Sequence, residues 1–167
     1  LDHCLVRNNV GGTSGGGMLI DSGDSGVTQV LRFCVFYGNS ANSSGANLGV
    51  SVNQADIYLE RCTFGPPAAS SPLNITINNS NPEVVVFDSC IVVGGSIQAI
   101  QAQPGSTVAS YSCIEGLANS GVNPIACIDE DPLFIDLAAG NLGLGAGSGC
   151  IDTGNPVLPA DADGSPA

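Results

Sequence analysis

The chain repeats itself. Residues 1–20, LDHCLVRNNVGGTSGGGMLI, align without a gap onto residues 31–50, LRFCVFYGNSANSSGANLGV, setting Leu1 on Leu31, Cys4 on Cys34, Asn9 on Asn39, Gly15 on Gly45 and Ile20 on Val50. From Cys34 a column of cysteines continues through Cys62, Cys90 and Cys113 at steps of 28, 28 and 23 residues. Most column members are followed two places on by an apolar residue: Val6, Phe36, Phe64 and Val92. A further step of 23 relates Cys127-Ile128-Asp129 to Cys150-Ile151-Asp152. Internal repetition at this period restricts the architecture to stacked supersecondary units, each burying its apolar face against the next.

Each unit holds two or three short apolar segments, such as Val84-Val85-Val86-Phe87 and Ile91-Val92-Val93, separated by Gly, Asn and Ser. Helical solenoids share this range of periods, but they need amphipathic stretches of about 12 residues, and none is present. Short strands fit instead. One turn of chain per repeat would lay every strand in parallel on its equivalent at about 4.8 Å, with alternate side chains entering a common core. The expected fold is therefore all-β, a right-handed parallel β-helix of roughly six coils, each of 23–30 residues. Residues 1–126 form the coils, and 127–167 form a closing coil and tail of the same domain.

Composition narrows the function. The three cationic side chains are all Arg, so there is no lysine for Schiff-base or P-loop chemistry, and a net charge of −12 argues against nucleic acid as a partner. Only 11% of residues are charged, against roughly 25% in an average globular protein. Stacking supplies a reason, because identical positions on neighbouring coils would set like charges beside one another. No apolar run approaches the roughly 18 residues of a membrane span. The chain opens on Leu1 without a basic, signal-like segment, which suggests a mature product or a piece of something longer.

The motif of an apolar residue, two residues, Cys, one residue, an apolar residue, then Asn and a Gly/Ser-rich stretch resembles secreted bacterial parallel β-helix repeat proteins of the pectate-lyase-like superfold. The segment 127–167 is similar to the closing segment of choice-of-anchor bacterial surface β-helix proteins. Asp131-Pro132-Leu133-Phe134 matches one of their motifs, and Ser148-Gly149-Cys150-Ile151-Asp152-Thr153-Gly154 matches a second, with Gly where Pro is usual. The resemblance implies an extracellular or surface-attached protein without implying one activity.

Several residues are candidates for chemistry. The first five cysteines, one per coil and with no CxxC among them, read as buried thiols used as small core hydrophobes. Cys127 with Cys150 is the pair best suited to a disulfide. Two positions before successive column cysteines stand Asp2, Arg32, Glu60 and Asp88, with Arg61 beside Glu60. They read as an outward ladder of ion pairs, or else as a subsite in which Arg32 and Arg61 grip the carboxylates of an acidic sugar. Arg7 falls in a different column. His3 beside Asp2 gives a catalytic triad on paper only, since no spacing singles out a nucleophile.

Carboxylates gather at Asp21 and Asp24, and again at Asp129, Glu130 and Asp131, with Asp152 one repeat on from Asp129. As a pair they could serve a glycosidase, but Asp at strand ends more often accepts local backbone N–H groups. Asp129 and Asp131, together with Asp161 and Asp163 of the D-x-D-G stretch, are the candidate ligands for calcium, and Asp136 adds a further hard oxygen. The Gly/Ser/Asn loops 10–17, 38–47 and 65–72 fall on one edge of the repeat. Asn42, Asn74 and Asn78 head glycosylation sequons, of consequence only in a eukaryotic protein.

The favoured function is a non-enzymatic extracellular or cell-surface module, structural, adhesive or self-assembling, whose end coils can join a second copy end to end. The alternative is a carbohydrate-active enzyme, either a polysaccharide lyase or a glycoside hydrolase, or a passive glycan-binding domain with polysaccharide as its partner.

Overall fold

A computed structural model describes residues 1–22, 26–43, 45–52, 55–68, 73–79, 84–94, 97–100 and 106–157. Asp24, Asp161 and Asp163 lie outside the described residues. Strands come in threes along the chain. The first three are β1 (Leu5–Arg7), β2 (Met18–Ser22) and β3 (Val27–Arg32), followed by β4 (Val35–Tyr37), β5 (Leu48–Val52) and β6 (Ala55–Glu60). Next come β7 (Thr63–Phe64), β8 (Ile75–Asn79) and β9 (Val85–Asp88), then β10 (Ile91–Val92), β11 (Ile97–Ile100) and β12 (Thr107–Ser110). β13 (Cys113–Ile114) leads into a 3₁₀ turn at Leu117–Asn119, and β14 (Asn123–Ile125), β15 (Phe134–Asp136) and β16 (Asn141–Leu144) complete the order.

From β1 to β10 each strand pairs with the one three places on, and β12 then pairs with β14. The result is three parallel sheets, β1-β4-β7-β10-β13, β2-β5-β8-β11 and β3-β6-β9-β12-β14, joined by one short antiparallel pair, β15 and β16. The registers reproduce the sequence repeat, with Leu5 opposite Val35, Leu31 opposite Leu59 and Glu60 opposite Asp88.

Period-two alternation decides which residues go inside. In β6, Ala55, Ile57 and Leu59 are buried while Asp56, Tyr58 and Glu60 face outward. All three sheets contribute to one core that holds Phe36, Phe64 and Phe87 fully buried. Phe36 stacks on Phe64 with centroids 5.0 Å apart, and Phe64 meets Phe87 edge-on at 6.5 Å. Removing such a ring costs about 3–5 kcal/mol.

Two corners recur from repeat to repeat. Between the first and second sheets, Asn39, Asn47 and Asn74 are wholly buried. Asn39 Nδ2 donates to Asn47 Oδ1 at 2.7 Å, and Asn47 Nδ2 donates to Asn74 Oδ1 at 2.7 Å and to the Gly65 carbonyl at 2.8 Å. Asn74 is thereby an interior amide, so its sequon offers no acceptor in the folded chain. Between the third and first sheets the chain turns through a left-handed residue each time: His3, Phe33, Arg61, Ser89, Tyr111 and Ala126, with φ of 48, 51, 51, 56, 49 and 51°.

The residue after that left-handed turn points inward. Its side chain donates to the carbonyl two residues back: Cys4 to Asp2 at 3.2 Å, Cys34 to Arg32 at 3.1 Å, Cys62 to Glu60 at 3.5 Å and Cys90 to Asp88 at 3.5 Å. The next member is Ser112, donating to Ser110 at 2.9 Å, and then Cys127, donating to Ile125 at 3.5 Å. This corrects the column read from the sequence, which ran through Cys113. Cys113 pairs with Ile91 and stands one place later, in the outward-facing row.

The segment after β14 folds back. Ile128 bridges Cys113, but β15 and β16 then form an antiparallel hairpin whose Gly140 abuts Tyr37 and whose Leu142 abuts Gly65. A side chain at Gly140 would strike the Tyr37 ring, and its φ of 76° also suits glycine.

Candidate functional site

The left-handed corner between the third and first sheets builds the site. On successive repeats it directs Phe33, Arg61, Ser89 and Tyr111 toward the same side. His3 stacks on Phe33 with ring centroids 4.6 Å apart, and the Arg61 guanidinium lies 5.4 Å from the Phe33 centroid on the far repeat, within cation–π range. The C-terminal segment forms the opposite wall. Asn155 donates its backbone N–H to Ser89 Oγ at 2.9 Å and its Nδ2 to Asp88 Oδ2 at 3.1 Å. Between wall and corner lies a cleft of about 250 Å³, lined by Phe33, Arg61, Tyr111, Cys113, Cys150 and Thr153 among others. Its chemistry is one cation, two aromatic rings, hydroxyls and three thiols, those of Cys90, Cys113 and Cys150.

The thiols carry the main electrostatic perturbation. Burial, followed by the hydrogen bond to Cys150, pushes the Cys113 thiol up to about 12. Burial also raises Cys90 well above its ordinary value, while the hydrogen bond from Cys90 lowers its neighbour Cys62. All seven cysteines are free thiols. The structure does not bring Cys150 to the expected partner. Cys127 points to the carbonyls of Ala109 and Ile125, at 3.3 and 3.5 Å, whereas Cys150 lies against Cys113.

A second cavity, of about 320 Å³, is lined by Glu115, Asp129, Glu130, Asp131, Pro132 and Leu137 with Val93. Three of its four carboxylates accept backbone N–H groups. Asp129 accepts the N–H groups of Gly116 and Leu117, each at 3.0 Å, Asp131 accepts that of Leu133 at 2.9 Å, and Glu115 accepts that of Gly94 at 2.5 Å. Among the described residues no group of three or more His, Cys, Asp or Glu is placed to hold a metal ion.

No family model, curated protein or solved structure matches the chain.

The remaining candidates fall into place as follows. Arg32 and Glu60 form the expected cross-repeat pair, Nε to Oε2 at 2.6 Å, while Asp2 pairs with Arg32 through a backbone β-bridge. Asp88 continues the column but bonds Ser89, Ser110 and Asn155 instead of a cation. Arg7 belongs elsewhere, donating to the Tyr37 hydroxyl at 2.7 Å. His3 Nδ1 meets Asp2 at 2.6 Å, and its ring is occupied in stacking on Phe33. Asp152 sits in an exposed turn with φ of 56° and is paired with Asp129 by no strand. The loops at 10–17 and 38–47 do lie on one another, Gly11 N–H to Ser40 O at 2.8 Å and Asn42 N–H to Gly12 O at 2.8 Å.

Sequence reasoning missed the aromatic and arginine corner and the contact of Cys113 with Cys150. One signal was present for the first shift of register. Ile114 stands two places after Ser112, as Val92 does after Cys90, while Glu115 after Cys113 breaks the pattern.

Proposed function

We propose that the chain is a right-handed parallel β-helix module that acts without catalysis, as a structural and self-associating element of a cell surface or extracellular assembly. The three parallel sheets, visited in rotation, support the winding, and the near-universal right hand of parallel crossovers supplies its sense. The observation that carries the reading is an open edge. Among the described residues β1, β2 and β3 each pair on one side only, and they lie together at one end of their three sheets.

Apolar side chains crowd that edge. Leu1 is 51% exposed, Leu5 58%, Val10 83% and Val27 38%, whereas Leu31 and Ala55, the next-repeat equivalents of Leu1 and Val27, are 2% and 1% exposed. The opposite end differs, because Leu117 of the 3₁₀ turn packs against the core. Unpaired N–H and C=O groups beside exposed Leu and Val form a template for another strand layer. A second copy meeting the same edge would give a closed, two-fold interface. The resemblance of 127–167 to surface β-helix proteins agrees with this setting.

Light scattering coupled to size-exclusion chromatography tests it. The chain should form a dimer as concentration rises, and Val27→Lys, which sets a charge on the edge, should return it to monomer. A wild-type monomer at every concentration would remove the reading.

The corner cleft favours a second one, passive binding of an acidic glycan. Tyr111 lines the cleft with the hydroxyls of Ser89 and Thr153, an aromatic and polar surface of the kind a sugar ring meets, and the positive charge of Arg61 favours an acidic one. Titration calorimetry with oligogalacturonate should then register heat that Tyr111→Ala abolishes, and no heat would exclude it.

A further inference from the structure

Cys113 is out of place for a thiol. It stands in the outward row of the first sheet, with Leu5, Val35, Thr63 and Ile91, yet it is only 3% exposed. Leu5, the first of that row, is 58% exposed. What covers Cys113 is the C-terminal segment: the Glu130 carbonyl accepts its thiol at 3.3 Å, and Cys150 stands beside it in the wall of the same cleft. Both cysteines line the corner cleft.

We propose that Cys113 and Cys150 are the sites of a disulfide that fastens the C-terminal segment across the outer face of the first sheet. The other thiols are unsuited to this. Cys34, Cys62 and Cys90 stand in file inside the core, at most 1% exposed, and Cys127 is turned toward the Ala109 carbonyl. Cys150 is half-buried at the cleft wall, open to a small reagent.

The oxidant is a low-molecular-weight disulfide such as oxidised glutathione. The Cys150 thiolate attacks one of its sulfurs, forming a mixed disulfide and releasing one glutathione thiol. Cys113 then loses its proton, attacks Cys150 Sγ and expels the second. Two cysteine thiols are oxidised, one glutathione disulfide is reduced to two thiols, and the two protons leave with them. Because burial holds Cys113 protonated, the closing step should accelerate about tenfold per pH unit from pH 7 to 9.

The test uses the whole folded chain, reduced and then incubated with oxidised glutathione. Alkylation under denaturing conditions and peptide mapping by mass spectrometry follow. The expected product is lighter by two hydrogens, with all cysteines alkylated except Cys113 and Cys150, and yields one cross-linked peptide joining them. Oxidation should raise the thermal midpoint of wild type and of Cys127→Ser by roughly 5–10 °C. Cys150→Ser should show no rise. Seven alkylated cysteines, a persistent glutathione adduct, or a bridge between any other pair, Cys127 with Cys150 included, would overturn the assignment. The wild-type peptide map decides the matter even if a variant fails to fold.

Discussion

Ser112 lies in register beside Cys90 and accepts its backbone N–H at 2.9 Å while donating to the Ser110 carbonyl at 2.9 Å. A hydroxyl thus performs at this repeat what a thiol performs at the others. Ser112→Ala leaves the Cys90 N–H without that acceptor in the interior and should cost about 1–3 kcal/mol. Ser112→Cys restores the side chain used elsewhere in the column and should cost less than about 1 kcal/mol. Urea denaturation of the two variants checks the difference.

The buried asparagines form a continuous chain of amides in which Asn47 is the middle link. Asn47→Ala would strand one Asn39 amide N–H and the Asn74 Oδ1 together, while the Gly65 carbonyl keeps its bond from Asn74 Nδ2, a loss of about 2–4 kcal/mol. Asn42→Ala, on the exposed loop, should be near neutral. Chemical denaturation of both variants separates an interior network from a surface one.

Alkaline stability follows from the raised thiols. In the unfolded chain Cys113 would ionise near its ordinary 9.0, but in the fold it stays protonated to about 12. The folded pKa is the higher one, so this contribution is complete below pH 9 and is lost as pH rises toward 12. Cys90 acts in the same direction. The thermal midpoint of the reduced protein should therefore fall between pH 8 and pH 10.5, and fall less in Cys113→Ser. Equal falls would contradict the attribution.

Asp129 closes the turn at Gly116 and Leu117 by accepting both N–H groups. Asp129→Ala should cost about 1–2 kcal/mol. Since the carboxylate is already engaged, the loss should be the same in EDTA and in excess calcium. A midpoint that rises with calcium in wild type but not in the variant would restore Asp129 as a metal ligand.

The parallel pairing was legible in the sequence because stacking copies one strand onto the next, so Leu5 over Val35 and Leu31 over Leu59 appear as a repeat. Legibility fades where the repeat shortens. Between β10 and β13 the spacing drops to 22 residues, and a cysteine adjacent to the true column position, Cys113 beside Ser112, drew the alignment one place off. Such a slip turns a side chain from the interior to the outer face. The hairpin of β15 and β16 belongs to no repeat, and its packing on Tyr37 and Gly65 is a long-range contact that local pattern does not encode. The similarity of Cys127-Ile128-Asp129 to Cys150-Ile151-Asp152 suggested one more stacked coil, where the chain instead turns back across the first sheet.

The open edge is the heart of the functional account, and hydrogen–deuterium exchange over a hundredfold range of protein concentration tests it directly. Self-association through β1, β2 and β3 predicts that amides of Leu5–Arg7, Met18–Ser22 and Val27–Arg32 gain protection as concentration rises, while those of Thr107–Ser110 stay unchanged. Exchange at the three edge strands that is independent of concentration would contradict it.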